Sequence, residues 1–322
     1  MRAIVLTAGL GTRLRPLSYV RAKAAVPVNG EALARRVIRS LVRWGITDVV
    51  LNLHHHPASI TALVGDGADL GARVRYSWEQ PVLGSAGGPR RALPLLLDGR
   101  DARKDPRGTF LLVNGDTLTD VDVPALLEFH ERSGTPVTMA LIPNPRPDKY
   151  GGVIVSGDRV RRFTPRGVAR DSYHFIGVQA ADARVFEPLE DGVPAESVGS
   201  VYPRLLAREP DGIGAFVSHA SFHDIGTPKD YLDTSLALAR AEGDRLASGA
   251  GCRIAGSARL DRTVVWDDVA VGEGAQLTRC IVADRVTIPP GASYSSCVIL
   301  PAEDRTPSDT ERIEGSLLIS DL

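Results

Sequence analysis

Apolar residues occur along the chain in short runs that are separated by segments of helical periodicity. Three of these runs stand at residues 3–7, 49–53 and 110–113. From Leu33 to Trp44 apolar residues recur at helical spacing, arginines occupy the opposite face, and Gly45 follows as a stop signal. Helical patterns between buried strands are typical of sheets with mostly parallel strands. The pattern therefore predicts a Rossmann-like α/β fold, with a mixed, mostly parallel sheet flanked by helices.

A last helix is predicted where this pattern ends. Thr227 suits the N-cap, Pro228 the first helical position and Asp230 the capping box, and the helix is expected to end near Arg240. Further elements are predicted at residues 123–132 (helix) and 137–142 (strand). We place the domain boundary at residue 245, so that the first domain comprises residues 1–245.

The remaining residues, 246–322, contain an internal repeat with a period of 17 residues. The repeat is seen when Ile254, Val271 and Ile288 are aligned, because alanine then recurs four positions later and an apolar residue ten positions later. Short apolar runs with glycine turns suit stacked coils, since each coil buries its inward residues against the next. This pattern resembles a left-handed β-helix of the hexapeptide type in a short form. Such a solenoid suggests self-association as a homo-oligomer without defining its symmetry.

Composition excludes several classes of protein. The chain is 43% apolar and 24% charged, with a formal net charge of -1, so it is expected to fold with a sizeable core and to bind neither nucleic acid nor a membrane. Its three cysteines are widely separated and predict no disulfide framework. The first apolar run is too short for a signal peptide or a membrane span. These features predict a cytoplasmic protein.

The loop after the first strand is glycine-rich and cationic. It begins at Gly9 and Gly11, and residues 1–30 contain five basic residues and no acidic residue. Backbone amides at the end of a strand together with arginines suit a phosphate-rich ligand. Leu14 stands where the dinucleotide fingerprint has its third glycine, and the sequence of the P-loop is absent. A glycine turn beside surface arginines is the alternative interpretation.

Two aspartates follow predicted strands and are candidates for a metal site. Asp116 comes after the run at 110–113, and Asp224 follows another short apolar stretch. Carboxylates from two strand ends, facing a phosphate loop, suit Mg²⁺, which keeps waters and binds phosphate oxygens. Helix or turn caps are the alternative role for each.

Four segments of the chain carry a resemblance to a known family. They are Leu6-Thr-Ala-Gly-Leu-Gly-Thr-Arg-Leu-Arg-Pro-Leu17 with Lys23 and Val26-Pro-Val28, Leu83-Gly-Ser-Ala-Gly-Gly88, Val113-Asn-Gly-Asp116, and Asp224-Ile-Gly-Thr-Pro228. In this order they resemble the sugar-1-phosphate nucleotidyltransferases, also called NDP-sugar pyrophosphorylases. The resemblance spans residues 5–230, and a β-helical tail is found in several branches of that family.

The resemblance implies a reaction and a set of site residues. A sugar-1-phosphate oxygen attacks the α-phosphate of a nucleoside triphosphate in line, pyrophosphate leaves, and no general base is required. The implied catalytic residues are Arg13, Lys23 and Asp116, and the implied Mg²⁺ ligands are Asp116 and Asp224. The expected nucleotide-binding residues are Leu6, Ala8, Gly9, Gly11, Thr12, Arg13, Glu79, Gly84 and Gly87. The expected sugar-phosphate-binding residues are Lys23, Gly152 and Arg166.

The sequence departs from the family pattern at two places. Ala22 stands where proline usually precedes the lysine. Phe163-Thr-Pro-Arg-Gly167 stands where many members have a Glu-Lys-Pro motif that holds the sugar and its phosphate, so Arg166 or Arg162 is expected to replace the lysine. Tyr150-Gly-Gly152 does resemble the glycine segment on the sugar side of the family's site.

Several substrates remain open within this class. Ser77-Trp-Glu-Gln-Pro81, leading into the second glycine segment, looks most similar to mannose-1-phosphate guanylyltransferases, which favours GTP with mannose-1-phosphate. Alternatives are a uridylyl- or thymidylyltransferase that acts on another sugar-1-phosphate, and a non-catalytic regulatory subunit that binds nucleotide sugar. All of these predictions require the cationic loop, Asp116 and Asp224 to converge on one triphosphate.

Overall fold

The computed structural model describes residues 1–243, 246–303 and 305–322. The chain divides into two compact units. Unit 1 comprises Met1–Gly9, Ala34–Pro57 and Val64–His223, and unit 2 comprises Leu10–Leu33, Ala58–Leu63 and Asp224–Leu322. Unit 2 thus joins the N-terminal loop to the C-terminal part of the chain, a grouping that a single boundary along the sequence does not produce. The predicted boundary, residue 245, lies outside the described residues.

The helices begin and end close to the predicted positions. Their bounds are α1 Leu33–Arg43, α2 Pro57–Val64, α3 Gly84–Leu97, α4 Val123–Ser133, α5 Tyr202–Arg208 and α6 Pro228–Ala241. The helices predicted between the first runs, over 123–132 and after Thr227 are confirmed as α1, α4 and α6. Thr227 caps α6, because its hydroxyl accepts a hydrogen bond from the amide of Asp230 (3.1 Å). α2 and α5 are short helices that the apolar pattern did not predict.

The strands divide into those before α6 and those after it. Those before α6 are β1 Arg2–Leu6, β2 Pro27–Val28, β3 Glu31–Ala32, β4 Asp48–Leu53, β5 Arg73–Trp78, β6 Phe110–Asn114, β7 Thr117–Thr119, β8 Val137–Pro143, β9 Gly152–Ser156, β10 Arg159–Thr164, β11 Tyr173–Ala181, β12 Ile213–Val217 and β13 Phe222–Asp224. Those after α6 are β14 Arg253–Ile254, β15 Arg259–Asp261, β16 Val264–Val265, β17 Ala270–Val271, β18 Gln276–Thr278, β19 Ile281–Val282, β20 Thr287–Ile288, β21 Ser293–Ser295, β22 Cys297–Pro301, β23 Glu311–Glu314 and β24 Leu317–Asp321.

The main sheet of unit 1 is mixed. Its strand order is β5-β4-β1-β6-β11-β8-β12-β10-β9. The pairs among β5, β4, β1 and β6 are parallel, as is the pair of β8 with β12, whereas β11 and the β9–β10 hairpin pair antiparallel with their neighbours. The prediction of a mixed α/β fold is confirmed. Because β1, β4, β5 and β6 run in parallel, the residues that follow them meet at one edge of the sheet.

The helices of unit 1 cover this sheet with apolar side chains. α3 packs on β1, β4 and β5, α4 packs on β8, β11 and β12, and α5 packs on β10. The core includes Ile4, Val50 and Leu112 from three neighbouring strands, each at most 1% exposed. Each fully buried side chain of this size contributes about 1.5–3 kcal/mol relative to an exposed one. The strands that end at this edge of the sheet are therefore held in place by a buried apolar core.

The C-terminal part of unit 2 forms stacked coils with the predicted period. Ile254 pairs in parallel with Val271, and Val271 with Ile288, so the 17-residue repeat is confirmed residue by residue. Strands of successive coils pair in the orders β14-β17-β20, β15-β18-β21 and β16-β19-β22, and β24 then pairs antiparallel with β22. Inside the stack the sulfur atoms of Cys280 and Cys297 lie 3.8 Å apart. Both are buried free thiols.

In the described part of the chain, no helix combines the length and the apolar character that crossing a membrane requires.

Candidate functional site

A buried hydrogen-bonded chain links the ends of three parallel strands in unit 1, namely β1, β4 and β5. The amide of Thr7, after β1, donates to the side-chain oxygen of Asn52 (2.6 Å), and the side-chain amide of Asn52 donates to the carboxylate of Glu79 (2.6 Å). The hydroxyl of Thr7 donates to the backbone carbonyl of Asn52. All three side chains are buried, and Glu79 is only 1% exposed. These bonds fix the strand ends relative to one another.

Glu79 continues this chain into the second glycine segment. Its other carboxylate oxygen accepts a hydrogen bond from the amide of Leu83 (2.8 Å), the residue before α3. A Cβ on Gly88 would lie 2.5 Å from the Glu79 carboxylate and 2.8 Å from the Asn52 amide, which explains why glycine is needed there. Glu79 thus holds the glycine segment against the sheet edge. Trp78, by contrast, is 59% exposed.

The predicted nucleotide residues Gly84 and Gly87 lie at the start of α3, where backbone approaches are close. Gly84 has φ +77°, a conformation that favours glycine, and a Cβ on Gly87 would lie 2.8 Å from the carbonyl oxygen of Val193. The amides of Ala86 and Gly87 donate to the carbonyl of Ala195 (2.9 and 3.1 Å). The segment around Ala195 therefore packs directly against the second glycine segment, a contact that the sequence did not indicate.

Asp116 lies at the same edge of unit 1, as predicted. Gly115 donates its amide to the carbonyl of Leu6 (3.0 Å), and a Cβ on Gly115 would lie 2.5 Å from that oxygen. The glycine lets the chain after β6 approach the end of β1, and this contact places half-buried Asp116 beside the residues that follow β1. Ala8 is buried there and Gly9 is exposed.

The sugar-side residues predicted from the sequence lie at one end of the β9–β10 hairpin. Gly152 pairs with Thr164, and a Cβ on Gly152 would lie 2.6 Å from the Thr164 hydroxyl and 2.7 Å from that of Ser172. Arg166 is exposed in the turn just after Thr164. Arg162 pairs with Ile154 within the hairpin and lines a groove against α5. Of the two arginines, Arg166 therefore lies nearer Gly152 in the hairpin.

An aromatic cluster next to Gly152 was missed by the sequence analysis. The rings of Tyr150 and His174 lie 4.3 Å apart between centroids, and those of His174 and Phe222 lie 4.7 Å apart. Burial, aided by the charge of Lys149 and opposed by a hydrogen bond with the backbone of Gly151, lowers the pKa of His174 to about 4. His174 is therefore neutral near pH 7. Tyr150 was a signal for this cluster, but His174 and Phe222 are too distant along the chain to be associated with it.

In unit 2 the cationic loop folds into short 3-10 turns. The turn Thr12–Leu14 begins after Gly11, whose φ is +62°. The hydroxyl of Ser18 donates to the Gly11 carbonyl (2.9 Å), and a Cβ on Gly11 would lie 3.4 Å from Cβ of Lys23. Lys23 therefore lies against the loop, while Thr12 and Arg13 are exposed.

Asp224 and Arg13 meet around Gly226 in unit 2. A Cβ on Gly226 would lie 2.9 Å from a carboxylate oxygen of Asp224, 3.2 Å from one of Asp230 and 3.4 Å from a guanidinium nitrogen of Arg13. The glycine leaves a small space that is lined by two carboxylates and one cation. Asp230 is an addition to the predicted set, since the sequence indicated only its capping role.

The site residues divide between the two units. Gly11, Thr12, Arg13, Lys23 and Asp224 belong to unit 2. Unit 1 contains Leu6, Ala8, Gly9, Glu79, Gly84, Gly87, Asp116, Gly152 and Arg166. Within the described residues, no group of three or more histidine, cysteine or acidic side chains is arranged to hold a metal ion. The carboxylates of Asp116 and Asp224 have the hard oxygen donors that Mg²⁺ prefers, and Mg²⁺ is commonly held by one or two carboxylates with substrate phosphates.

Two family profiles match the chain, and together they cover most of it. The profile described as nucleotidyl transferase matches residues 2–241. The chain belongs to the nucleotidyl transferase family. A second profile, described as the GlmU-like C-terminal hexapeptide, matches residues 246–296 and implies that the stacked coils form a left-handed β-helix. Nucleotidyltransferases of this family generally use a divalent metal ion.

Curated relatives cover most of this nucleotidyltransferase. The mannose-1-phosphate guanylyltransferase of Mycobacterium tuberculosis is 28% identical over 84% of this chain and 81% of its own length. A probable mannose-1-phosphate guanylyltransferase of Oryza sativa is 30% identical over 85% of this chain and 74% of its own. The activity class, a sugar-1-phosphate nucleotidyltransferase that joins a nucleoside triphosphate to a sugar-1-phosphate, is confirmed.

Solved structures with the same fold have lower identity. A putative glucose-1-phosphate thymidylyltransferase of Bacillus anthracis superposes with a TM-score of 0.64 at 20% identity, covering 74% of this chain and 95% of that one. HddC of Yersinia pseudotuberculosis in complex with GMP-PN superposes with a TM-score of 0.61 at 21% identity, covering 74% and 99%. At this identity the comparison supports the fold and leaves the substrate open.

Proposed function

We propose that this nucleotidyltransferase makes a guanosine diphosphate sugar and pyrophosphate from GTP and mannose-1-phosphate, with Mg²⁺ as its metal. The observation that carries the choice of substrates is the set of curated mannose-1-phosphate guanylyltransferases, two of which match this chain over 81% and 74% of their own length. The choice of GTP over UTP or dTTP rests on these relatives, because the contacts described above do not discriminate between nucleotide bases.

The cationic loop of unit 2 is proposed to bind the triphosphate. Gly11 adopts a left-handed conformation directly before the turn at Thr12, and we assign the backbone amides of these two residues to the phosphates, with the exposed guanidinium of Arg13 beside them. Such amides and arginines suit phosphate oxygens. Lys23, packed against Gly11, places an ammonium for the reacting phosphates. We assign Arg13 to the leaving pyrophosphate and Lys23 to the phosphates between which the new bond forms.

The second glycine segment in unit 1 is proposed to line the base pocket. Leu6, Ala8 and Gly9 lead from β1 into the loop, and Gly84 and Gly87 lie at the start of α3, where the segment at 193–196 packs against them. Glu79 was expected to bind nucleotide, but its carboxylate is buried and both of its oxygens accept internal hydrogen bonds. We therefore propose that Glu79 acts through the segment that it holds.

On the sugar side we propose Gly152 and Arg166. Gly152 lets the hydroxyls of Thr164 and Ser172 pack against the backbone at the end of the hairpin, and Arg166 supplies an exposed cation in the adjoining turn for the sugar phosphate. A guanidinium can contact two phosphate oxygens at once, so it can replace the lysine of the usual motif. Arg162 is not proposed for this role, since it lines a different groove.

Asp116 and Asp224 are proposed as the ligands of Mg²⁺. When bound, the ion would neutralise charge on the triphosphate and stabilise the leaving pyrophosphate. A phosphate oxygen of the sugar phosphate attacks the α-phosphorus, and the bond from that phosphorus to the bridging oxygen of the β-phosphate breaks with its electron pair. The attacking oxygen is already ionised, so no side chain has to remove a proton. Arg13 and Lys23 hold the two anions together.

The proposal is tested by following pyrophosphate release with matched substrate pairs. Purified protein is incubated with Mg²⁺, each of five nucleoside triphosphates and a panel of sugar-1-phosphates. GTP with mannose-1-phosphate is expected to give the highest kcat/KM. A higher value with UTP or dTTP would replace the guanylyl assignment by the uridylyl or thymidylyl alternative. No release with any pair would leave only the nucleotide-sugar-binding regulatory role.

The metal assignment is tested with Asp116→Asn and Asp224→Asn. Each variant is expected to lose at least about a hundredfold in kcat while its circular dichroism is unchanged, because each removes a ligand charge and not a core side chain. Asp211→Asn is the matched control, since Asp211 is an exposed aspartate paired with Arg161. Wild-type rates in either site variant would refute the assignment. Omission of Mg²⁺, or its replacement by Mn²⁺ or Zn²⁺, tests the identity of the ion.

We also propose that the enzyme acts in the cytoplasm, because its three cysteines are free thiols. The solenoid is proposed to support self-association, which light scattering of the full chain would measure.

A further inference from the structure

Arg21 connects the lysine segment of unit 2 to the solenoid. Its guanidinium donates to both carboxylate oxygens of Asp284 (2.6 and 2.7 Å) and also to Asp267 (2.5 Å). The Arg21 side chain is 13% exposed, and so is that of Asp284. A bidentate arginine pair at this burial fixes direction as well as distance. The end of the segment at residue 21 is therefore held in one orientation.

The two aspartates occupy equivalent positions in the repeat. Asp267 and Asp284 are 17 residues apart, which is one coil of the solenoid, while the same position is alanine at 250 and proline at 301. The amide of Asp267 donates to the Asp284 carboxylate (3.1 Å), and the Asp267 carboxylate accepts from the amide of Ala250 (2.7 Å). Each carboxylate therefore bonds an amide of the preceding coil and also the guanidinium of Arg21. Two of the four repeats lack an acid at this position, and the two that have one are those that bind Arg21.

A second connection holds the other end of the segment. The indole of Trp266, the residue before Asp267, donates to the hydroxyl of Tyr231 on α6 (2.8 Å), and that hydroxyl donates to the carbonyl of Pro27. Trp266 and Tyr231 are fully buried. The guanidinium carbon of Arg21 also lies 5.5 Å from the Trp266 ring centroid. One corner of the solenoid thus holds residues 21 and 27, on either side of Lys23.

The turn between these two anchors presents Lys23. Ala25 donates its amide to the carbonyl of Ala22 (2.8 Å), which closes a 3-10 turn over Lys23–Ala25. Cβ of Lys23 lies beside Gly11 of the phosphate loop. Movement of residue 21 would be transmitted to Lys23 within two residues. A displacement of about 1 Å at a group that contacts the reacting atoms can cost about a hundredfold in rate.

We propose that Arg21 is a positioning residue for the nucleotidyl transfer, and that the solenoid acts through Asp267, Asp284 and Trp266 to hold the turn that presents Lys23. The inference rests on the role proposed above for Lys23. It gives the short solenoid a part in the reaction that is separate from self-association. It also explains why alanine can stand at position 22, where the family usually has proline: the turn is already held by the contacts of Arg21 and Pro27.

The kinetic test compares Arg21→Gln in two backgrounds. In the otherwise wild-type chain, Arg21→Gln and Asp284→Asn are expected to lower kcat at least about tenfold while KM for GTP changes less than about threefold. In the Lys23→Ala background, Arg21→Gln is expected to lower kcat by less than about a further twofold, because the lysine that Arg21 positions is absent. If Arg21 served only stability, the smaller folded fraction would lower kcat equally in both backgrounds. Equal losses in both backgrounds would therefore overturn the proposal.

The matched control is Asp261→Asn. Asp261 also lies on a coil of the solenoid and pairs with an arginine, but it is 62% exposed and its partner is the neighbouring Arg262. It is expected to leave kcat and KM unchanged. Arg21→Lys, which keeps the charge and loses the bidentate geometry, is expected to recover part of the loss. A loss in Asp261→Asn as large as that in Asp284→Asn would also overturn the proposal, since it would show a general effect of solenoid charge.

A second readout does not depend on activity. The chain has four lysines, at 23, 104, 149 and 229, so ¹³C-methylation of the lysines gives few NMR signals and Lys23→Arg assigns the one of interest. Asp284→Asn and Arg21→Gln are expected to shift or broaden the Lys23 signal, and Asp261→Asn is not. An unmoved Lys23 signal would refute the positioning role. Absence of pyrophosphate release by the wild-type chain would instead refute the proposed function and leave this measurement valid.

Discussion

The buried pair of Asn52 and Glu79 allows a sharp test of how the sheet edge is held together. Glu79 accepts one hydrogen bond from the Asn52 side chain (2.6 Å) and one from the amide of Leu83 (2.8 Å), and both side chains are at most 3% exposed. Glu79→Gln keeps one acceptor oxygen and replaces the other by a donor. Whichever way the new amide is oriented, one donor then faces another donor.

The cost follows from these contacts. The variant loses one hydrogen bond to a charged acceptor, worth about 1.5–3 kcal/mol, and leaves buried donors without an acceptor, which costs about 1–3 kcal/mol more. We expect Glu79→Gln to lower the free energy of unfolding by about 3 kcal/mol, or about two powers of ten in the folding equilibrium. Asn52→Asp alone is expected to cost at least as much, because two carboxylates would then face each other in a buried site.

The double variant Asn52→Asp/Glu79→Gln should restore the fold. Asp at 52 accepts from the amide of Thr7 and from the new amide at 79, while the remaining oxygen at 79 accepts from Leu83, so each of the three wild-type hydrogen bonds has a counterpart. We expect its free energy of unfolding to lie within about 1 kcal/mol of wild type, which, with about 3 kcal/mol lost in each single variant, corresponds to a coupling energy of about 5 kcal/mol. Urea unfolding followed by fluorescence measures all four proteins, with exposed Glu187→Gln as the control.

The kinetic result separates two roles for Glu79. If Glu79 acts only through the segment that it holds, the double variant should recover KM for GTP together with stability. If the double variant recovers its free energy of unfolding but KM for GTP remains raised, Glu79 contacts the nucleotide directly. A double variant as unstable as the sum of the two singles would refute the hydrogen-bond reasoning itself.

Three further predictions concern other parts of the site. Gly226→Ala places a methyl group 2.9 Å from a carboxylate oxygen of Asp224. The variant should raise the Mg²⁺ concentration that gives half-maximal activity about tenfold, while its free energy of unfolding changes by less than about 1 kcal/mol. An unchanged Mg²⁺ titration would contradict this prediction. The pKa of His174 is lowered from 6.5 in the unfolded chain to about 4 in the folded one, so the unfolded chain takes up a proton first as the pH falls. The stability contributed by neutral His174 is therefore complete above pH 6.5, and the free energy of unfolding should decline by up to about 3 kcal/mol towards pH 4. His174→Phe should remove that part of the decline, as measured by urea unfolding across this pH range. Ala22 has φ -54°, which suits proline, but its amide donates a hydrogen bond to the Ser59 hydroxyl (3.1 Å) that proline cannot make. Ala22→Pro should therefore destabilise the wild-type protein by about 1 kcal/mol more than it destabilises the Ser59→Ala variant, which already lacks this bond. Equal effects in the two backgrounds, measured by thermal unfolding, would refute the role of that hydrogen bond.

The local pattern of the chain was enough to predict the elements that it encodes directly. Apolar runs and helical spacing identified β1, α1 and α4, and Thr227 with Asp230 marked the start of α6, because capping and amphipathic spacing depend on residues within a few positions of each other. The 17-residue repeat predicted which residues stack, since each coil pairs in register with the next. The glycine motifs marked the ends of strands, where a backbone must approach another closely.

What the tertiary structure decided was the set of partners for polar side chains that are far apart in sequence. Glu79 was predicted to bind nucleotide, and in the structure its carboxylate accepts hydrogen bonds from Asn52 and Leu83, while Arg21 reaches Asp284, 263 residues away along the chain. A sequence shows that a carboxylate or guanidinium is present, but its partner depends on which strand ends and coils the fold brings together. Burying a charged group is costly unless a partner satisfies it, so the fold must supply these contacts, and they can be recognised only when the packed elements are in place.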